Sequence, residues 1–198
     1  MNFQEGIQKV ADRYQKVKEG GMVGKFPWPW DCIQNATGGI QQDDYIVLYG
    51  RPKSKKTWVL TYLIFWAYTH GAKILFYTKE MTDENLYMRL AAFIINVIYD
   101  DLRLGKLKAS DEAKLKTLLE ESKKIRDKVV CLSAKDADGL DTVAWLTGKV
   151  EKYQPNVVFI DGMYLMSTES KRPLKDNERV QAIRSEEHTS ELQSLVII

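Results

Sequence analysis

Apolar and polar positions along this chain switch between helical and extended periods several times. Residues 3–19 place Ile7, Val10, Tyr14 and Val17 at spacings of three and four, which predicts a helix with one thin apolar seam. Gly20 and Gly21 stop it. So short a helix is marginal alone in water, so it is expected to dock, on its own domain or on a neighbouring subunit. Phe26-Pro27-Trp28-Pro29-Trp30 is a stiff aromatic lead-in. Its tryptophans read as packing anchors, although exposed tryptophans can also stack on bases. Gly38 and Gly39 form a turn. Tyr45 to Tyr49 are all β-formers and predict a short buried strand.

Trp58 to Tyr68 is apolar on nearly every face, the pattern of a helix buried between a sheet and another layer. Residues 73–78 predict a second strand, closing a strand–helix–strand crossover, so parallel strands are expected. Thr82 or Asp83 caps a long helix with a broad core face of Leu86, Leu90, Phe93, Ile94, Val97 and Ile98. Residues 111–128 predict a more polar helix with a slim stripe at Leu115, Leu118, Leu119 and Ile125, acidic at its start and basic at its end. Val129 to Leu132 is a short third strand. Residues 140–153 predict an amphipathic helix that ends before Pro155, and Asn156 to Asp161 a buried strand tipped by an acid. The fold class is therefore α/β, a mostly parallel sheet flanked by helices.

Composition narrows the class without naming a function. The 198 residues are 44% hydrophobic and 28% charged, with a net charge of +2, too small to argue for nucleic acid by itself. Cys32 and Cys131 lie far apart, and there are two histidines, which disfavours a structural zinc site or a disulfide framework. The longest apolar segment falls short of the roughly 20 residues a bilayer requires. No signal sequence is recognised, so a soluble protein of the cytoplasm, without membrane, is expected.

The chemistry concentrates where the first predicted strand meets its helix. Gly50-Arg51-Pro52-Lys53-Ser54-Lys55-Lys56-Thr57-Trp58 meets the phosphate-loop pattern at Gly50, Lys56 and Thr57. Lys55 stands where a glycine is expected. In such a loop, backbone N–H groups and a helix N-terminus converge on an anion. Lys55 must take a backbone conformation that glycine adopts freely, or leave the loop slightly open. The alternative is a basic surface turn. Glu80 follows the second strand, at the edge where open α/β sheets place their ligands, or is a solvated loop acid. Asp161 ends an apolar strand, as in folds that hold a water of the nucleotide's Mg²⁺ beside a phosphate loop. Any α/β strand can end in aspartate, but the three features reinforce one another as a nucleotide site.

With these residues in order, the sequence resembles the RecA-type ATPase domain of DnaB-family replicative helicases. The resemblance is carried by Thr37-Gly38-Gly39-Ile40, Gly50-Arg51-Pro52 with Lys56-Thr57, Lys79-Glu80-Met81-Thr82 with Met88-Arg89-Leu90, and Phe159-Ile160-Asp161 with Leu165-Met166-Ser167. It covers about residues 30–183, and the spelling is closest to the bacteriophage branch. It implies a P-loop NTPase core that uses ATP and Mg²⁺. Lys56 and Thr57 are implied to bind the β/γ-phosphates and the metal, Glu80 to polarise the attacking water, and Asp161 to complete the metal site. A hexameric ring on single-stranded DNA is also implied, with residues 3–19 docking on the adjacent subunit, in a bacterial or phage-infected host cytoplasm. No N-terminal primase-interacting domain is expected.

Three regions follow: helix and linker over 1–29, a partial RecA-like core over 30–183, and a tail over 184–198. Arg184 to Ser194 resembles the translation of a sequencing-adapter oligonucleotide, and Leu195 to Ile198 is read as further non-native sequence. The core is then expected to be incomplete at its C-terminus. It would lack the sensor strand between the phosphate-loop strand and the aspartate strand, the DNA-binding loops and the arginine finger, leaving the fragment itself poorly stable and inactive as a helicase. Two other readings stay open: a RecA-like recombination or regulatory ATPase that does not unwind, and a non-hydrolysing nucleotide-binding assembly protein.

Overall fold

The computed structural model describes residues 2–19, 24, 26–41, 44–51, 53–123, 128–139, 141–167, 178 and 195–197. The chain falls into two units, Met1–Asp44 and Tyr45–Ile198. In the first, α1 (Phe3–Lys18) begins with a capping box in which Asn2 and Glu5 satisfy each other's backbone N–H groups. The predicted stripe is there and unburied: Ile7 is 52%, Val10 64% and Tyr14 67% exposed. The expected stop at Gly20 and Gly21 lies outside the described residues. A second helix, α2 (Asp31–Thr37), was not predicted. Gly38 ends it in the left-handed conformation, the ordinary helix-terminating use of glycine. Trp28 and Trp30 stack with ring centroids 6.4 Å apart and are half-buried.

Among its described residues, the second unit carries a five-stranded parallel sheet. Its strands are β1 (Tyr45–Ile46), β2 (Ile74–Thr78), β3 (Val129–Ser133), β4 (Val157–Asp161) and β5 (Leu195–Ile197), in the order β1-β5-β4-β2-β3. The helices are α3 (Lys56–Thr69), α4 (Asp83–Ile95), α5 (Tyr99–Arg103), α6 (Ala109–Ser122) and α7 (Val143–Tyr153). Every residue of β2 and β4 is buried. Because side chains alternate across a pleated strand, each strand feeds two cores. Leu75, Tyr77, Val158 and Ile160 pack with Val143, Leu146 and Val150 of α7. Ile74, Phe76, Val157 and Phe159 point the other way, to the layer of α3 and α4. There Trp58, Tyr62 and Phe65 meet Phe93 at centroid distances of 5.7–6.0 Å. The same alternation places Thr78 and Asp161, paired across the β2/β4 register, on the α3 side.

Five expectations are corrected. The strand predicted from Tyr45 to Tyr49 pairs only over Tyr45–Ile46, because its neighbour β5 is three residues long. Val47 and Tyr49 run past it, 59% and 94% exposed. The core face predicted to reach Ile98 ends earlier: Asn96 takes a left-handed conformation that breaks the helix, and Ile98 is 68% exposed at the start of α5. The polar helix predicted over 111–128 is observed as Ala109–Ser122, with 124–127 outside the described residues. Finally, the gap expected between the phosphate-loop strand and the aspartate strand is filled. Leu195–Ile197 pairs in parallel with both β1 and β4, and three apolar β-formers in succession suit a slot with a strand on each side. The helix expected from 140 starts at Val143 with Thr142 as its cap, and Leu140 lies outside the described residues.

Candidate nucleotide site

Three strand ends and one helix start build the site. The chain leaves β1 and turns through Gly50, Arg51, Lys53, Ser54 and Lys55 into α3; Pro52 lies outside the described residues. A Cβ at Gly50 would stand 2.7 Å from the Ser54 hydroxyl oxygen, a contact that a turn of the Ser54 side chain would relieve. Lys55 takes φ 62° and ψ 28° at the N-cap of α3, and Lys53 has φ 65°. Lys55 thus adopts the left-handed backbone that a glycine takes freely, the first of the two alternatives the sequence leaves open. The N-cap Lys55 makes no side-chain cap bond to α3, and the Trp58 N–H bonds back to the Lys55 carbonyl at 2.9 Å, which leaves the N–H groups of Lys56 and Thr57 at the mouth of the loop. The Lys56 ammonium donates to the carbonyls of Gly50 at 3.0 Å and Arg51 at 3.3 Å. It is drawn over the loop, with a third donor left by valence for an anion.

Asp161 is the centre of the cluster. It ends β4 at 8% exposure, and its Oδ2 is buried without a hydrogen-bond partner among the described residues. Thr57 lies near enough to the same carboxylate to favour its charged form. Burial first, then the negative charge of Glu80, push the Asp161 carboxyl up to about 6, against Thr57 and the charges of Arg89 and Lys56. Glu80 follows β2. Its backbone N–H donates to the Thr78 hydroxyl at 3.2 Å, and its Cγ lies 3.3 Å from where a Cβ on Gly162 would stand. Gly162, at φ +83°, has no side chain to displace it.

Residues 29–196 match the family model described as DnaB-like helicase C terminal domain. The chain belongs to that family. Its fold is RecA-like, as seen in a solved DnaB-like replicative helicase characterised with its primase interactions (TM-score 0.78, 15% identity, 100% of this chain and 47% of that one). A solved ATPase domain gives the same score and identity over 99% of this chain and 69% of its own. The replicative DNA helicase DnaB of Buchnera aphidicola subsp. Baizongia pistaciae (strain Bp) is 28% identical over 88 residues, 44% of this chain and 19% of that helicase. The chain therefore spans about a fifth of that relative and about half of the first structure. No helix among the described residues is long and apolar enough to cross a membrane.

In this DnaB-like domain the structure brings together Lys56, Thr57, Glu80 and Asp161, the residues singled out from the sequence. Trp58 does not face the loop. It packs edge-on to Tyr99 and Phe93, and its ring carries Arg89 at 4.5 Å. Arg89 falls within the Met88-Arg89-Leu90 motif, which assigns it no role. Its Nε and Nη1 are buried without partners among the described residues, and its charge is felt by Asp161. The sequence signal was only an arginine amid the apolar face of α4; packing of α4 on α3 brings it to the site.

The donor set fits a magnesium ion. An orphaned carboxylate oxygen and a hydroxyl are hard oxygen ligands, and Mg²⁺ commonly takes one or two protein carboxylates and leaves the rest to phosphate and water. Among the described residues no group of three or more His, Cys, Asp or Glu forms a separate metal site.

The left-handed Lys55 has a measurable cost. A non-glycine residue there is strained by about 1–2 kcal/mol, while glycine adds unfolded-state entropy of about 0.5–1 kcal/mol. Lys55→Gly is expected to raise stability by roughly 0.5–1 kcal/mol, read as a higher denaturant midpoint at unchanged slope. A lower midpoint would mean that the Lys55 side chain makes a stabilising contact.

Proposed function

We propose that this chain is the ATP-hydrolysing motor portion of a replicative DNA helicase, working in a hexameric ring on single-stranded DNA. The observation that carries the proposal is the convergence of Lys56, Thr57 and Glu80 on the buried, partly orphaned Asp161. Lys56 and the N-terminus of α3 neutralise and orient the β- and γ-phosphates. Thr57 and Asp161 hold the metal. Bound magnesium supplies positive charge that stabilises the negative charge developing on the transferred phosphoryl group. Glu80 takes the proton of the attacking water as general base. The unburied seam of α1 is suited to the surface of an adjacent subunit in the ring. Residues 1–29 then form helix and linker and 30–183 the ATPase core. We read 184–198 as adapter-derived sequence in which Leu195–Ile197 stands at a strand position of the sheet. The proposed setting is a bacterial or phage-infected host cytoplasm.

Phosphate release and strand displacement measured with wild type and Glu80→Gln test this. The expected result is DNA-stimulated hydrolysis that falls at least about a hundredfold in Glu80→Gln while ATP binding is retained. Hydrolysis indifferent to Glu80 would overturn it. Lys55 favours a second reading, a nucleotide-binding assembly protein that does not hydrolyse. That reading predicts ATP binding without phosphate release in the wild type, and release appearing in Lys55→Gly.

A further inference from the structure

A buried polar network lies on the face of the sheet opposite Asp161. Asp141, 1% exposed, sits in the segment before α7. Its Oδ2 accepts from the Lys79 ammonium at 2.7 Å and from the Tyr77 hydroxyl at 2.5 Å. Its Oδ1 accepts from the Ser167 hydroxyl at 2.8 Å, and its backbone carbonyl from the Ser167 N–H at 3.2 Å. Lys79 donates a second bond, 2.6 Å, to the carbonyl of Leu165. Burial pushes the Asp141 carboxyl up, but the bonds from Lys79, Tyr77 and Ser167 outweigh it and hold the carboxyl below its ordinary range.

These bonds join the two segments that flank Glu80. Lys79 is its chain neighbour at the end of β2. Leu165 and Ser167 belong to the turn Met163–Leu165 and its exit, directly after Gly162, against which the Glu80 side chain rests. An ion pair buried on one side is costly to assemble and strongly directional once made. A surface salt bridge could hold neither segment, because it contributes little.

We propose that the Lys79–Asp141 pair is a clamp that fixes Glu80 against Gly162, making Asp141 and Lys79 positioning residues for the proposed water-activating base. This rests on the nucleotide-site reading above. Among the described residues no hydrogen bond or ion pair joins Asp141 to the loop or to Asp161; it acts through the backbone of Lys79 and through the turn after β4. Loss of the clamp therefore spares ground-state nucleotide binding by Lys56 and selectively weakens contacts made to the in-line water.

The test is equilibrium binding of a fluorescent ADP to the full chain, with and without aluminium fluoride, in wild type, Asp141→Asn and Lys79→Met. The fluoride complex mimics the transferring phosphoryl group with its attacking water, so its extra affinity reports Glu80 without requiring turnover. The clamp predicts that both variants bind ADP within about twofold of wild type and lose roughly ten- to a hundredfold of the fluoride-dependent tightening. In a Glu80→Gln background, Asp141→Asn should cause no further loss. If Asp141→Asn and Lys79→Met keep the full tightening, or lose ADP and fluoride-complex affinity equally, the network serves only the fold and the clamp is wrong. If wild type does not bind ADP at all, the nucleotide-site reading itself falls and the clamp falls with it.

Discussion

Asp161→Asn is expected to stabilise the ligand-free protein by about 3 kcal/mol at pH 8 and to abolish the magnesium-dependent part of its nucleotide affinity. The stabilisation comes from the raised carboxyl. Burial, with Glu80 second, moves Asp161 from 3.8 to about 6, so the folded protein prefers the protonated acid. The favourable contribution is fully present below the unfolded value of 3.8 and is lost as pH rises through about 6. Above that the ionised carboxylate costs about 1.4 kcal/mol per pH step of the shift, hence about 3 kcal/mol in total. Asparagine keeps the shape and a Thr57 acceptor but carries no charge, so the cost disappears. It also offers magnesium a weaker ligand. Urea unfolding of both proteins at pH 5 and pH 8 checks the first half: the variant's advantage should grow with pH. Asp161→Asn less stable than wild type at pH 8 would show that the carboxylate is held by contacts stronger than its burial. If Asp161 holds the metal as proposed, a residue that weakens its own fold is an expected trade at such a site.

Much of the site was legible because its residues lie at motif positions that also fall at the ends of apolar runs. Val157 to Ile160 and Ile74 to Tyr77 are continuous buried strands, and a residue that follows such a run must emerge at the sheet edge. That puts Asp161 and Glu80 at the sheet edge. Lys55 was legible as a departure, and its conformation follows from the requirement of the position for a positive φ. What escaped depended on tertiary partners. The length of β1 is set by a strand from the far end of the chain, and nothing in Tyr45 to Tyr49 encodes how far that partner extends. The role of Arg89 depends on the stacking of α4 against Trp58. Asp141 reads in sequence as one polar residue among several, and only the fold aims it at Lys79. The short helices α2 and α5 escaped because neither has a buried residue to give it a period; the single signal for α2 was Gly38.

Lys56→Ala is expected to have the largest effect on binding. The lysine is held over its loop by the Gly50 and Arg51 carbonyls, so its ammonium is pre-positioned for a phosphate. The one donor left to the ammonium makes a charge-assisted hydrogen bond to a phosphate oxygen that contributes about 1.5–3 kcal/mol, so truncation should cost roughly ten- to a hundredfold in affinity. The fold should be spared, because Lys56 contacts its own loop and not the core. Titration of magnesium and a slowly hydrolysed ATP analogue into wild type and Lys56→Ala, followed by calorimetry, tests the central claim most directly. The account predicts saturable, magnesium-dependent binding to wild type and binding weaker by roughly ten- to a hundredfold in a Lys56→Ala protein that unfolds at the same denaturant midpoint. Equal binding by the two proteins would contradict it.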